Sequence, residues 1–371
     1  MKILVLGSYD QSLVTFRGAL IRAMLANGHE VMASAPAISS GVRRELTEWG
    51  ARCREVNMSR TGMNPVSDLR TLRELYRLMR DEQPDVLFAY TVKPVIYGCI
   101  AARMAGVRAC YPMITGLGSA FLGGGGWRQR LVRRVIQCLY RFALKASSGI
   151  FFQNPDDRDE FHRLGLTGGH TEVIMVNGSG VDTSHFAPVT LPADPSFLLI
   201  ARLLGDKGVR EYVEAARLVR KKHPNARFYL AGWLDTNPSA ITESELQGWV
   251  DEGAVEFLGK LDDVRPAISR CQVYVLPSYR EGTPRTVLEA MSMGRPVITT
   301  DAPGCRETVK DGVNGRLVPV GDAAALSQAM LSYLQSPELV AQHGAEARRQ
   351  AETKYDVHKV NAVMLDAMGL G

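Results

Sequence analysis

Apolar residues in the first half of the chain come in short β-branched runs separated by longer stretches at helical spacing. Lys2–Gly7 reads as a strand, Phe16–Asn27 as a helix, Glu30–Ala35 as a strand and Val42–Trp49 as a helix stopped by Gly50. A long helix is predicted over Pro65–Glu82, ended by Gln83-Pro84, then a strand over Val86–Ala89 and a helix over Pro94–Ala105. Strands and helices alternating at this spacing imply parallel strands with right-handed crossovers, a Rossmann-like sheet. Turn formers at Asn177–Asp182 and Pro188–Pro195 interrupt the pattern, and the same grammar then restarts. Strands are expected at Ser196–Ile200, Ala226–Ala231, Val255–Leu258, Val273–Val275 and Val297–Thr300, with helices at Gly208–Lys221, Pro284–Met293 and Ala323–Gln335. The expectation is an α/β chain of two Rossmann-like domains, 1–187 and 188–354, facing each other across a cleft. A C-terminal helix within 355–371 is expected to cross back to the first domain.

Composition narrows the class. At 371 residues the chain exceeds one ordinary core, and no apolar run reaches the roughly 18–20 residues of a spanning helix. Met1–Gly7 reads as a first strand and not as a signal peptide. The six cysteines are scattered without a Cys-x-x-Cys, which points to buried thiols in a reducing, cytoplasmic setting and to neither disulfides nor zinc. Residues 1–187 hold 23 Lys and Arg against 16 Asp and Glu, a net of +7, whereas 188–371 carry a net of −2. Such asymmetry suggests that the first half faces an anionic partner.

The strongest chemical signal is Glu281-Gly-Thr-Pro-Arg-Thr-Val-Leu-Glu289, between the strand ending near Leu276 and the helix after Pro284. Gly282 and Pro284 suit a tight turn, and amides at the helix start form the positive end of its dipole, an anion site suited to a diphosphate. Glu289, one to two turns in, can accept bonds from a ribose diol, and Glu281 can contact a transferred sugar. Two glutamates at this spacing are weak evidence by themselves; the strand–turn–helix context strengthens them. The chain here resembles glycosyltransferase family 4. The likeness runs through Leu199–Gly208, Leu230–Gly232, Phe257–Lys260, Glu281–Ala290, Gly294–Val297, Gly304–Glu307 and Asp311–Gly315. It implies the GT-B fold, retention of anomeric configuration, and a donor diphosphate bound by Arg202 and Lys207. Gly205, Thr283, Pro284, Arg285 and Glu289 would complete the donor site, and Glu281, Lys207 and Arg202 would be catalytic. Two fixed cations can neutralise a departing diphosphate, so no metal or other cofactor is expected.

Tyr90–Gly98 and Ile114–Phe121 resemble acceptor-side motifs of bacterial transferases that build surface glycans, nearest those adding N-acetylgalactosamine to sugars on undecaprenyl diphosphate. That likeness makes Thr91, Lys93, Thr115, Gly116 and Ser119 acceptor candidates. Lys93 is also readable as a helix-start lysine beside Pro94. Many family members carry histidines where this chain has Phe88-Ala-Tyr90 and in the Thr115-Gly116 region, so no catalytic histidine carries over; His185 reads as structural. Arg128–Lys145 holds six basic residues and no acid, with Leu131, Val135, Cys138, Leu139 and Phe142 on one helical face. Residues 127–145 therefore suit an anionic membrane surface, or a domain helix with that apolar face in the core, or both. Nucleic acid is a poorer partner, since no aromatic-interleaved groove accompanies the charge. Asp157-Arg-Asp159 sits just inside a helix start and reads as capping charge, not a metal site.

The expected activity is transfer of a sugar, an N-acetylhexosamine such as GalNAc, from a UDP-sugar to a polyprenyl-diphosphate-linked acceptor at the inner face of the cytoplasmic membrane. The alternatives are a nucleotide-sugar 2-epimerase and a non-catalytic sugar-nucleotide binder. A dinucleotide oxidoreductase is disfavoured, because Gly7-Ser-Tyr-Asp-Gln offers no Gly-x-Gly-x-x-Gly after the first strand.

Overall fold

The computed structural model describes all residues except Arg60, Thr61, Met63, 117–126, Ala146, 168–170, Thr236 and Pro238, together with the side chains of Arg128 and Gln129. The chain divides into two compact units: residues 1–179 with 358–371, and residues 180–357. The division falls ahead of the boundary expected at 187.

The first unit runs β1 (Lys2–Leu6), α1 (Gln11–Thr15), α2 (Gly18–Ala26), β2 (Glu30–Ala35), α3 (Ser40–Glu48), β3 (Arg52–Glu55), α4 (Pro65–Glu82), β4 (Val86–Tyr90), a π-helical turn (Pro94–Gly98), α5 (Cys99–Ala105), β5 (Ala109–Ile114), α6 (Trp127–Leu144), β6 (Gly149–Phe152), α7 (Pro155–Arg163) and β7 (Glu172–Met175). Every strand pairs in parallel, in the order β3-β2-β1-β4-β5-β6-β7. Central strands such as β4, Val-Leu-Phe-Ala-Tyr, are buried on both faces, as parallel strands between helical layers must be. Strand β3, Arg-Cys-Arg-Glu, carries no apolar alternation because it lies at the sheet's edge, and periodicity therefore misses it. One face of the sheet is covered by α4, the π-helical turn, α5 and α6, and the other by α2 and α3. Helix α14 (Val357–Ala367) joins the second face, placing Val360, Met364 and Leu365 in its core; Asn27 Nδ2 donates to Leu370 O at 2.8 Å.

The second unit runs β8 (Ser196–Ile200), a 3₁₀ turn (Gly205–Lys207), α8 (Val209–Arg220), β9 (Arg227–Ala231), α9 (Glu243–Asp251), β10 (Glu256–Phe257), α10 (Arg265–Ser269), β11 (Val273–Leu276), α11 (Arg285–Ser292), β12 (Val297–Thr300), β13 (Gly315–Val318), α12 (Ala323–Gln335) and α13 (Glu338–Lys354). Its parallel sheet is ordered β10-β9-β8-β11-β12-β13. Arg295 is fully buried, and among the described residues no carboxylate bonds to it. Its guanidinium instead donates to the carbonyls of Ile268, Val189 and Thr190, among others, pinning the entry segment to the body of the unit.

Helix α6 separates the two readings the sequence left open. Of the predicted face, Leu131, Val135, Cys138 and Phe142 are exposed and only Leu139 packs, half-buried, against the core, which is met chiefly by Ile136, Tyr140, Ala143 and Leu144. Residues 136, 140, 143 and 144 form a second apolar stripe at helical spacing, so periodicity cannot decide which stripe turns inward. No helix among the described residues is long and apolar enough to cross a membrane.

Candidate active site

In parallel sheets ligands gather at the carboxyl ends of strands, and the second unit concentrates its predicted residues there. Arg202 and the 3₁₀ turn Gly205–Lys207 follow β8, and Glu281 follows the neighbouring strand β11. Backbone contact draws these two loops together. A Cβ on Gly208 (φ +70°) would lie 2.1 Å from Pro277 O, so only glycine permits the approach. Tyr279 N donates to Asp206 O at 2.9 Å and Ser278 Oγ to the same oxygen at 3.1 Å. The zipped loops set Lys207 Nζ 2.6 Å from Glu281 Oε1, with both side chains mostly buried.

The loop after β12 supports Glu281 from behind. Glu281 N donates to Pro303 O at 2.9 Å, and a Cβ on Gly304 (φ +78°) would stand 2.2 Å from Glu281 O and 2.4 Å from Gly282 O. The buried Cys305 thiol has its pKa pushed up to about 12, first by burial and then by the Glu281 carboxylate.

Helix α11 opens after Pro284, which is extended (φ −73°, ψ 111°) and gives the helix no side-chain cap. Gly282 is buried and Thr283 half-buried in the preceding turn. Burial raises the pKa of Glu289, only 6% exposed, against the opposing charge of Arg285, whose Nε donates to Glu289 Oε1 at 2.8 Å. Arg202 is held by a partner the sequence did not single out: Nη1 lies 3.3 Å from Asp235 Oδ2, on the loop after β9. Asp235 carries no motif of its own, and only the adjacency of β9 and β8 brings it to Arg202. Both predicted donor cations thus stand paired with carboxylates from adjoining strand ends.

In the first unit the predicted acceptor residues follow β4 and β5. Thr91 takes φ +70°, a costly conformation for a β-branched residue, and its Oγ1 donates to Ser8 Oγ after β1 at 2.9 Å. Lys93 is buried: Nζ donates to Asp68 Oδ1 at 2.7 Å and to Ser59 Oγ at 2.6 Å. The Tyr97 hydroxyl is pushed up to about 12 by burial and by Asp68. Thr115 and Gly116 are half-buried after β5, and Ser119 lies outside the described residues. Where histidines are absent, Phe88 and Tyr90 are core residues beneath the Arg17 guanidinium, 5.7 and 4.9 Å from their ring centres, and Tyr90 OH lies 2.8 Å from Ser12 Oγ. His185 is exposed in a turn organised by Asp182 Oδ1, which accepts from Ser184 N and His185 N.

Asp157 and Asp159 do not converge. Asn154 caps α7 by accepting from Asp157 N at 2.8 Å, and its amide donates to the buried Asp157 carboxylate at 3.0 Å, while Asp159 pairs with Arg158 on the surface. Among the described residues no group of three metal-ligating side chains comes together.

Two family descriptions match the chain: "Glycosyl transferase 4-like domain" over residues 14–177 and "Glycosyl transferases group 1" over 194–336. The chain is 28% identical to N,N'-diacetylbacillosaminyl-diphospho-undecaprenol alpha-1,3-N-acetylgalactosaminyltransferase of Campylobacter jejuni, covering 96% of this chain and 95% of that protein. It is 26% identical to UDP-Gal:alpha-D-GlcNAc-diphosphoundecaprenol alpha-1,3-galactosyltransferase of Escherichia coli over 75% of this chain and 72% of that one. Its fold matches sucrose-phosphate synthase from Thermosynechococcus elongatus (TM-score 0.80, 17% identity, 100% and 98% of the two chains). It also matches HepE from Anabaena, solved with UDP-glucose (TM-score 0.77, 20% identity, 100% and 99%).

Proposed function

We propose that this glycosyltransferase, with its glycosyl transferase 4-like and group 1 domains, moves a sugar from a UDP-sugar to a polyprenyl-diphosphate-linked acceptor, with retention, in bacterial surface glycan assembly. The observation that carries the donor half is the pairing of Arg202 and Lys207 with carboxylates at adjoining strand ends that open onto α11. These cations are poised to exchange Asp235 and Glu281 for a diphosphate. Glu289, buried and already hydrogen-bonded, suits a ribose diol. The acceptor half rests on the undecaprenyl-diphosphate-linked acceptors of the two bacterial relatives, and an N-acetylhexosamine donor such as UDP-GalNAc on the first of them.

In the reaction the bond from the sugar's anomeric carbon to the phosphate oxygen breaks as the acceptor oxygen bonds on the same face. The acceptor proton passes to the departing phosphate oxygen, so no side-chain base is required. Charge on the leaving diphosphate grows through the transition state, and there Arg202 and Lys207 contribute most. Glu281 positions the sugar. Two fixed cations perform the neutralisation a metal would otherwise supply, and turnover is expected to survive chelation by EDTA. The enzyme would work peripherally on the cytoplasmic face of the membrane, where its acceptor resides.

UDP release should require both a UDP-sugar and a lipid-diphosphate-linked sugar. Conversion of the UDP-sugar to its 2-epimer without acceptor would establish the epimerase instead. Binding of UDP-sugar with no turnover on any acceptor would leave a non-catalytic binder.

A further inference from the structure

Helices α4 and α6 both pack against the π-helical turn Pro94–Gly98, one on each side, on the same face of the first sheet. In a parallel crossover the helix begins at the carboxyl edge of the sheet, so the first turns of α4 and α6 bracket the segment carrying Thr91 and Lys93. Those first turns are apolar on the outside. Val66 and Leu69 of α4, and Trp127, Leu131, Val132 and Val135 of α6, are each between 39% and 68% exposed. Neither core cluster of the unit includes any of them.

Basic residues continue both stripes. Arg70, Arg73, Arg77 and Arg80 follow Val66 and Leu69 along the exposed side of α4 at helical spacing. Arg130 and Arg134 are exposed on α6, which has no acidic residue. α4 also carries four acids: Asp68 is buried against Lys93, Glu74 accepts from Asn57, Glu82 pairs with Arg52 and Arg54, and Asp81 is exposed in the last turn, at the opposite end from Val66 and Leu69. Apolar groups at one end of two helices packed on one turn, backed by arginines, match the profile of an interfacial leaflet, acyl region first and phosphate head groups behind.

We propose that the outer faces of α4 and α6 form one membrane-docking surface for an anionic bilayer, with the carboxyl edge of the first sheet turned toward the lipid. This deepens the proposed function, on which it rests: α6 alone would tether the enzyme, whereas two anchors bracketing Thr91–Gly98 fix its orientation. A polyprenyl diphosphate presents its phosphates at the head-group level, and this orientation brings the candidate acceptor segment to that level.

The test is co-sedimentation with vesicles of phosphatidylglycerol and phosphatidylcholine in equal amounts, and with phosphatidylcholine alone, alongside turnover on a short-chain, water-soluble acceptor diphosphate. Wild type should partition to the anionic vesicles and only weakly to the zwitterionic ones. The pairs Val66→Ser/Leu69→Ser on α4 and Leu131→Ser/Val135→Ser on α6 should each weaken partition about tenfold. Arg73→Gln should weaken it about fivefold. Each variant should retain turnover on the soluble acceptor, which reports correct folding. Val363→Ser, equally exposed but on α14 across the sheet, should change nothing.

Unaltered partition of the α4 pair would overturn the two-helix surface. So would self-association of wild type, abolished by the same substitutions, in the absence of vesicle binding. Partition as described, with no transfer to the soluble acceptor or to a lipid-diphosphate-linked one, would uphold the docking surface and overturn the proposed reaction.

Discussion

At the carboxyl edge of the second sheet, loops press backbone against backbone; at the same edge of the first, side chains fill the space. Gly208 and Gly304 admit carbonyls where a Cβ could not fit, so Lys207 and Glu281 stand on segments with little freedom to shift. Around Thr91 the corresponding groups are held by a hydroxyl pair to Ser8 and by a buried ion pair from Lys93 to Asp68. The comparison teaches why one edge keeps a recognisable motif. A diphosphate and ribose are the same in every donor and can be met by fixed turns. Acceptors vary, and a site assembled from packed side chains can be altered one residue at a time.

The largest expected effect tests the rigid edge. Glu281→Ala should lower turnover about 10²–10³-fold, while thermal unfolding and UDP-sugar binding by calorimetry change little. Equal turnover in wild type and variant would remove Glu281 from the site. On the other edge, Lys93→Met leaves the Asp68 carboxylate buried and unpaired, and should cost about 3 kcal/mol in chemical denaturation. The double variant Lys93→Met/Asp68→Leu should recover most of that loss. If it instead abolishes transfer while folding normally, Lys93 reaches the acceptor despite its partner.

Asp157→Ala sharpens the line between chemistry and support. From sequence it is expected to change little; in the structure the carboxylate is buried and accepts from the Asn154 amide. Its loss should cost about 1–3 kcal/mol of stability and leave turnover per folded molecule unchanged. Thr91→Gly should stabilise the fold by about 1 kcal/mol, since glycine accepts φ +70°, and should raise KM for the acceptor more than it lowers kcat.

The smallest effect concerns Glu289. Its pKa is raised in the folded state, so its contribution to stability is fully present below the ordinary carboxylate value. That contribution is lost as pH rises through the higher folded value. Glu289→Gln should therefore melt closer to wild type in acid and gain on it toward neutral pH. A pH-independent difference would mean that Arg285 fully compensates the burial.

Much of this organisation was legible in advance. Pro65–Glu82, Glu30–Ala35 and Ser196–Ile200 coincide with the predicted spans, because strong amphipathic or fully apolar runs leave little choice. The strands β3, β5, β6, β7 and β13 escaped: β3, β7 and β13 lie at sheet edges where alternation fades, while the interior β5 carries a proline and β6 is only four residues long. Asp235 escaped because its pairing with Arg202 comes from strands adjacent in space, with a whole βα unit between them in sequence.

The sequence by itself determined the two parallel α/β units and the strand–turn–helix from Leu276 to Glu289. Those depend on local constraints: apolar period, and glycine and proline where the backbone must turn. Tertiary structure decided which stripe of α6 faces the core, that Lys93 is paired with Asp68, and that α4 joins α6 on one face. A helix with two apolar stripes can bury either one, and a lysine can meet any carboxylate the fold brings near. Only the packing of neighbouring elements selects among such alternatives.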